Sequence, residues 1–393
     1  MAQQNNSRNS AKISSNRRNR TDKITKLEQL SPEIFYEIFD YLTGSQIYIS
    51  FFRLNSRINE LVYNTPNVHL DLSQTRTKFY HSFQQIFCSQ NIVSVVLDCD
   101  IDNLLKRLFS TTGGRRLKSI SLLNLSLYTF QTRIPEILST FKEQLASLKI
   151  NLMNTESFGT GAQTGQSFGY LLTELPLLKY FALNDSGQVN TMTYLDSTIT
   201  NNTVVSLTMS LTGYVRWASI LRRFEKLKVL TIDFRFQNEK KRVAPRDSTS
   251  YYGNQIQEIL PIGYPIRLRH VKIYQYNMIL ENVEQLFQLL ISPTLSTLCL
   301  FNCQRPFTRY PQPKRQPPFL DGTQWHDLVK NYLLPTMKRF YIEYEDVDNT
   351  MSMRNIAQVK NNFMKYSGQN LPWEVTCSYD PKTKFLSFDF IFT

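Results

Sequence analysis

The chain carries few side chains that could perform catalysis or hold a metal ion. Its 393 residues include four histidines and five cysteines, and no histidine stands next to a recognisable nucleophile motif. Cys299 and Cys303 form a CxxxC pair, but no second pair follows to complete a zinc site. We interpret both as packed thiols. The sequence therefore predicts no catalytic residue, no metal ion and no cofactor, and it indicates a protein that is not an enzyme.

Composition predicts an intracellular globular protein with a basic tail. Hydrophobic residues make up 41% of the chain. The sequence contains no run of about 18 apolar residues, so we expect no membrane-spanning helix. The scarcity of cysteine favours a reducing compartment, so we expect a cytoplasmic or nuclear location. Seven basic groups and one acid in residues 1–26 account for +6 of the net charge of +13. Residues 1–25 are predicted to be disordered, and their NRRNR run is typical of a solvated tail, a nuclear-import signal or a nucleic-acid contact.

The stretch LSPEIFYEIFDYL, residues 30–42, predicts a helix with an unusually wide apolar face. Ser31 is a suitable N-cap, Pro32 fits the first helical position, and Glu33 lies where the helix dipole favours an anion. Six apolar side chains span an arc of roughly 160°, whereas a surface helix needs only about 100°: Ile34, Phe35, Ile38, Phe39, Tyr41 and Leu42. The excess predicts that part of the arc faces the helix's own small core and that another part faces a second surface. A helical cap on a larger domain would produce the same arc.

This stretch and the apolar segment after it resemble an F-box, the motif that docks F-box proteins on the Skp adaptor of SCF-type ubiquitin ligases. The resemblance covers residues 26–66, with LSPE where the family often has LPxE. It is carried by Leu30, Pro32, Glu33, Ile34, Ile38, Tyr41 and Leu42 in the first half, and by Phe52, Leu54, Asn55, Arg57 and Ile58 in the second. The residues it implies for adaptor binding are Leu30, Pro32, Ile34, Phe35, Ile38, Leu42, Phe52 and Leu54. A unit this small buries too little surface to be stable alone, so we expect it to pack against a neighbour.

The template L-x-x-L-x-L recurs nine times in the remaining chain. Successive first positions lie 23 to 42 residues apart, and most intervals fall in or near the range of leucine-rich repeats. The segments are Ile92/Val95/Leu97, Leu117/Ile120/Leu122, Leu145/Leu148/Ile150, Leu178/Phe181/Leu183, Val204/Leu207/Met209, Leu227/Leu230/Ile232, Leu268/Val271/Ile273, Leu295/Leu298/Leu300 and Met337/Phe340/Ile342. Residues 67–393 thus resemble irregular leucine-rich repeats. Cys303 in LSTLCLFNC matches the family's Asn/Cys position, whereas other residues occupy that position elsewhere, including Leu125, Met153, Thr212 and Glu345.

Segments with helical period separate the strand-like templates, which predicts an α/β fold. The helical segments are residues 128–142, 214–224, 281–291 and 324–334. A strand followed by a helix in each unit predicts a solenoid, with parallel strands on the concave side and helices on the convex side. Residues 67–73 and 384–392 alternate like strands and are expected to close the first and last edges of the sheet. A generic α/β sheet domain is the alternative interpretation.

The residues between the template leucines are expected to face the concave surface. In the early repeats they are small and polar: Ser119, Ser121, Ser147, Lys149, Asn151, Ser206, Thr208 and Ser210. In the late repeats they are aromatic and basic, a mixture typical of binding hot spots. We therefore predict a target-binding surface in the C-terminal half, formed by His270, Lys272, Tyr274, Phe301, Arg339 and Tyr341. A solvated sheet face is the competing interpretation.

Two functions follow from these patterns. The resemblance to F-box proteins implies a substrate-recognition subunit of an SCF-type ubiquitin ligase, tethered through the Skp-type adaptor to a cullin. Its repeats would hold a protein target, and the basic residues would favour an acidic or phosphorylated segment. The alternative is a basic repeat scaffold or nucleic-acid-binding protein outside the ubiquitin system, which would show a steep dependence on salt.

Overall fold

The protein is described by a computed structural model that covers most of the predicted repeat strands and the N-terminal helices. The described residues are 27–73, 91–98, 116–153, 171–185, 200–211, 223–234, 267–274, 294–303, 336–345, 373–380 and 385–392, with short pieces at 169, 286–287, 327–328, 331–332, 357, 361 and 382. The predicted tail, residues 1–25, lies outside the described residues. So do residues 237–255 and 304–322, which the sequence places in the two longest intervals between successive templates.

In this part of the chain, twelve strands form one open sheet. Their order in space is β1-β2-β3-β4-β5-β6-β7-β8-β9-β10-β12-β11. The bounds are β1 Val68–Asp71, β2 Ile92–Asp98, β3 Ser119–Leu125, β4 Ser147–Leu152, β5 Tyr180–Asp185, β6 Ser206–Leu211, β7 Val229–Phe234, β8 His270–Tyr274, β9 Thr297–Cys303, β10 Arg339–Glu345, β11 Trp373–Asp380 and β12 Phe385–Phe392. Every neighbouring pair from β1 to β10 is parallel. The chain is therefore an α/β protein with a mostly parallel sheet in sequence order, which is compatible with a solenoid.

One face of the sheet holds a continuous apolar core. All three template residues of each of the nine segments are buried, and they lie in register from strand to strand, as Ile120, Leu148 and Phe181 do across β3, β4 and β5. Because a strand cannot cover its own apolar face, each repeat is stabilised by its neighbours. The periodicity therefore identified the core correctly at every template position.

One helical connection is described in full and others only in part, among them the helical residues 171–174 before β5. Residues 128–142, predicted to be a helix, contain two short helices, α4 (Leu127–Thr132) and α5 (Ile134–Ser139). Ser126 caps the first of them by accepting a hydrogen bond from the backbone N–H of Thr129 at 3.0 Å. The other three predicted helical segments, 214–224, 281–291 and 324–334, lie almost entirely outside the described residues, so they stay predictions.

Three helices precede the sheet and share its core. They are α1 (Pro32–Asp40), α2 (Gly44–Phe51) and α3 (Ser56–Tyr63). Buried Phe35, Ile47 and Val62 belong to the same hydrophobic cluster as the strand residues. Ser45 Oγ donates to the carbonyl oxygen of Asp71 at the end of β1, at 2.6 Å. The helices therefore pack against the sheet, as the small size of the unit required.

Local sequence explains where these helices begin. Thr43 and Gln46 form a capping box at the start of α2, and Asn55 accepts the backbone N–H of Ile58 at the start of α3. Ser31 occupies the N-cap position of α1, as predicted, but its side chain caps no backbone group. Its hydroxyl instead hydrogen-bonds the Glu33 carboxylate, which lowers the pKa of Glu33.

Asparagines in the left-handed region reshape two strands. Asn124 and Asn302 have φ angles of 50° and 49°, a conformation that asparagine tolerates better than most residues. Each is followed by a fully buried side chain, Leu125 or Cys303. The Cys303 thiol donates weakly to the carbonyl oxygen of Phe301, at 3.9 Å. The turn thus directs the Asn/Cys position of the repeat into the core, where Cys303 is a packed thiol.

An antiparallel hairpin ends the sheet. The segment 384–392 was expected to be the last edge, but it forms β12, which pairs with β10 on one side and β11 on the other. Strand β11 is the outermost strand in the described sheet. At the opposite end β1 is the first edge, as expected. The expectation for the last edge was wrong because the short link after β11 favours an antiparallel pair, which needs no crossover.

We expect Phe340→Ala in β10 to lower the free energy of unfolding by about 3–5 kcal/mol, because it leaves a cavity in the core. The Phe340 ring is fully buried, lies 5.4 Å from the Phe390 ring and meets the Phe287 ring edge-on. Urea unfolding followed by circular dichroism would measure the change. The control Tyr128→Ala, at an exposed position of α4, should change stability by about 0.5 kcal/mol or less. A loss below about 1 kcal/mol for Phe340→Ala would contradict the packing.

Candidate protein-interaction surfaces

Helix α1 divides its apolar arc between two directions. Phe35 and Phe39 point into the protein, with exposures of 0% and 2%, and both rings contact Phe51 of α2 at centroid distances of 6.3 and 5.1 Å. These four-residue steps place them on one helical face. This half of the arc closes the core between α1 and α2.

The other half of the arc faces outward. Ile34, Ile38 and Tyr41 follow one another at helical steps of four and three residues. Ile34 is 41% exposed, Tyr41 is 90% exposed, and Ile38 is half-buried. We call these three residues the outer stripe of α1. Exposed apolar side chains in a row at helical spacing are typical of a surface that another protein covers.

The predicted adaptor-binding residues fall into three groups. Pro32, Ile34 and Leu54 are exposed, and Leu30, Ile38, Leu42 and Phe52 are half-buried. Phe35 is fully buried. Its assignment to adaptor binding is therefore wrong for this conformation, because its whole ring is used in the contact with α2.

Sequence reasoning missed two exposed residues near these positions as binding candidates. Tyr41 continues the outer stripe, three residues after Ile38, and helical spacing alone could have identified it. Ile49 in α2 is 79% exposed. It is two residues from buried Ile47, which puts the two side chains on opposite sides of the helix. An apolar residue out of phase with its helix is the signal that would have marked it.

A connected row of aromatic rings lies on the opposite face of the sheet from the template residues, in the late repeats. Tyr274 of β8 stacks on Phe301 of β9 with centroids 4.9 Å apart and planes at 18°. Phe301 also contacts Tyr341 of β10 at 5.1 Å. We call these three residues the aromatic row. Their contacts arise because Tyr274 and Phe301 are register partners in parallel strands.

Arg339 is already paired within the chain. Its Nε donates to Asp389 Oδ1 at 3.0 Å and its Nη2 to Oδ2 at 2.7 Å, a bidentate arrangement across β10 and β12. Asp389 accordingly raises the pKa of Arg339. The assignment of Arg339 to target binding stays a prediction: its side chain is 53% exposed, but in this conformation its charge is shared with Asp389. His270 and Lys272 are exposed on the same sheet face, and Lys272 has no ion-pair partner among the described residues.

Two titratable groups beside this pair are shifted toward their neutral forms. Burial raises the pKa of the Cys299 thiol, and the positive charges of Arg339 and Lys272 oppose the rise. Burial also raises the pKa of the Tyr341 hydroxyl, with a further contribution from the Glu343 carboxylate. A neutral, buried thiol is a weak nucleophile.

The early repeats present a polar row in place of aromatic rings. Asn184 Nδ2 donates to Asn151 Oδ1 at 2.9 Å, and Ser210 Oγ lies 3.5 Å from Asn184 Oδ1. These side chains belong to neighbouring strands β4, β5 and β6. Since they already satisfy one another, this part of the sheet face is built for cohesion between repeats.

The described residues contain no metal-binding arrangement. Within those ranges, no group of three His, Cys, Asp or Glu side chains is placed to hold a metal ion. The described helices are also all too short or too polar to cross a membrane. A search against protein-family models and a search of curated proteins each found no match. The candidate surfaces are therefore the outer stripe of α1 and the late-repeat face.

The ion pair between Arg339 and Asp389 should couple β10 to β12 by about 0.5–1 kcal/mol, because it is bidentate but partly exposed to solvent. A double-mutant cycle with Arg339→Met and Asp389→Asn, read by urea unfolding, would measure this coupling. It should decrease when salt is raised, because ions screen exposed charges.

The matched control for this cycle is the pair Lys142 and Glu143. Their charged atoms lie 4.0 Å apart and both side chains are largely exposed, so Lys142→Met and Glu143→Gln should show a coupling near zero. Equal coupling in the two cycles would contradict a specific link between β10 and β12.

Proposed function

We propose that the protein is the substrate-recognition subunit of an SCF-type ubiquitin ligase. In this proposal residues 26–66 act as an F-box that docks on a Skp-type adaptor and, through it, on a cullin. The repeats hold a protein target. The observation that carries the proposal is the outer stripe of α1, an apolar row that the described chain leaves uncovered.

The stripe is suited to a protein partner for energetic reasons. Burying a large apolar side chain that is exposed in the free protein gains about 1.5–3 kcal/mol. Tyr41 and Ile34 expose much of their surface, whereas the inward pair Phe35 and Phe39 fixes the helix that carries them. A rigid helix with apolar anchors three and four residues apart is a common form of helix recognition.

The target is assigned to the sheet face that carries the aromatic row. Tyrosine and phenylalanine supply large contact areas at low entropic cost, and tyrosine is enriched in interface hot spots. His270 and Lys272 lie exposed beside the row. A receptor of this kind accelerates a reaction by holding the target near an enzyme supplied by the ligase, so it needs no active site of its own.

Ile34→Asp combined with Tyr41→Asp should abolish binding to a purified Skp-type adaptor, because two charged groups would enter an apolar interface. Both positions are exposed, so the variant should fold like the wild type. Biolayer interferometry with the full chain would measure adaptor binding, and circular dichroism would verify folding. We expect the affinity to fall by about a hundredfold or more.

The control Tyr128→Asp changes an exposed aromatic residue on α4, outside the proposed F-box. It should bind the adaptor as the wild type does. Absence of wild-type binding, or unchanged binding by the Ile34/Tyr41 variant, would overturn the proposal.

A further inference from the structure

The N-terminal ends of the repeat strands form an ordered rim. Just before each strand a backbone hydrogen bond runs to the preceding repeat: Ala146 donates to Lys118, Lys179 to Ala146, Val205 to Lys179, Lys228 to Val205, Arg269 to Lys228, Ser296 to Arg269 and Lys338 to Ser296, at 2.8 to 2.9 Å. Because the strands are parallel, all these residues lie at the same edge of the sheet. The ladder therefore fixes one rim position per repeat from β3 to β10.

This rim carries charge of a single sign. We define it as the three residues before each of the strands β3 to β10: 116–118, 144–146, 177–179, 203–205, 226–228, 267–269, 294–296 and 336–338. The middle residue of each triplet is a buried template residue, which leaves sixteen outward positions. Eight of them are basic and exposed, and none is acidic: Arg116, Lys118, Lys179, Lys226, Lys228, Arg267, Arg269 and Lys338.

Chance does not account for this distribution. The chain's average content of 45 lysines and arginines in 393 residues would place about two in sixteen positions, together with about one acid. Among the described residues, none of the eight cations has a carboxylate partner within ion-pair distance. Their charges therefore add up along the rim instead of being neutralised locally.

The dimensions of the rim fit an extended polymer. Eight adjacent strands spaced about 4.8 Å apart give a row about 34 Å long, which an extended peptide of about ten residues would span. Rim cations on β3, β5, β7, β8 and β10 are separated by one or two strands, or about 5 to 10 Å. Side chains on one side of an extended peptide repeat about every 7 Å. Carboxylates on such a peptide would meet the cations along its whole length.

From this geometry we infer that the rim binds an acidic, Asp/Glu-rich segment of a partner polypeptide laid across the strands. The inference rests on the proposed receptor function, since it names the class of segment that the receptor captures. It also changes where an acidic target segment would be attracted. On the late-repeat face the charge of Arg339 is paired with Asp389, whereas the rim cations have no ion-pair partner among the described residues.

A single-stranded nucleic acid fits the rim less well. Such ligands stack their bases on aromatic faces beside a basic track. Tyr274 and Phe301 lie about 16 Å from the rim along β8 and β9, and Tyr341 lies about 10 Å from it along β10. The faces of Tyr274 and Phe301 are also occupied by their contact with each other. Tyr180, beside Lys179, is the one aromatic residue next to a rim cation in the described repeats. The polypeptide is therefore the better match.

The test compares two charge-reversal variants of the full chain. Lys179→Glu with Lys228→Glu changes the rim, and the control variant Lys149→Glu with Lys382→Glu makes the same change in net charge on exposed lysines outside the rim and outside the predicted target-binding residues. The probe is a fluorescein-labelled ten-residue glutamate peptide, and fluorescence anisotropy in about 50 mM salt measures the dissociation constant. The rim variant should bind about tenfold more weakly, and the control variant should differ from wild type by less than about twofold.

Three results would overturn the inference. They are no peptide binding by the wild type, equal weakening in both variants, and tighter rim-dependent binding of an oligothymidylate with the same charge. None of them affects the adaptor experiment, which depends on α1. Likewise, if the adaptor did not bind, the proposed receptor function would be wrong. The peptide measurement would still show whether the rim binds an acidic segment.

Discussion

Each repeat strand has one apolar face that only its neighbours can cover, and this requirement organises the whole molecule. A strand of six or seven residues with two or three buried aliphatic side chains has no stability by itself. Aligned in parallel, the template residues of β2 to β10 form a single core, and the backbone ladders hold them in register. The same alignment applies to all remaining positions of the repeat. A residue type that recurs at one position therefore forms a row of such side chains across the sheet.

The rows have different characters because each position meets a different environment. Positions facing the core are uniformly apolar. On the opposite face the early strands pair asparagine with asparagine and serine, whereas the late strands stack Tyr274, Phe301 and Tyr341. Before the strands, half of the sixteen outward positions beside the buried template residues are exposed lysine or arginine. Core packing, polar contacts, aromatic contacts and basic charge are thus found in separate rows of residues that run across the strands.

The two ends of the sheet are closed in different ways. An edge strand has unpaired backbone N–H and C=O groups, and its apolar side chains lack a neighbouring strand on one side. At the C-terminal end the chain turns back, and β12 is joined to β10 by the ion pair of Arg339 with Asp389. At the N-terminal end α2 packs against β1, with Ser45 Oγ hydrogen-bonded to the backbone carbonyl of Asp71. The cap at this end also carries the outer stripe. One small helical unit therefore closes the sheet and also carries an exposed apolar row.

The sequence alone determined those features that depend on periodicity. The template positions, the first edge strand and the excess apolar arc of α1 were all predictable, because strand and helix periods decide which side chains share a face. Tertiary structure decided how the arc divides, since the same spacing allowed Phe35 to face either a partner or Phe51. Tertiary structure also decided that Arg339 forms an ion pair with Asp389, fifty residues later in the chain. It placed β12 between β10 and β11, so that β11 is the edge strand. The basic rim became visible only when the strands were aligned, because its lysines and arginines are far apart in the chain and meet through the parallel register.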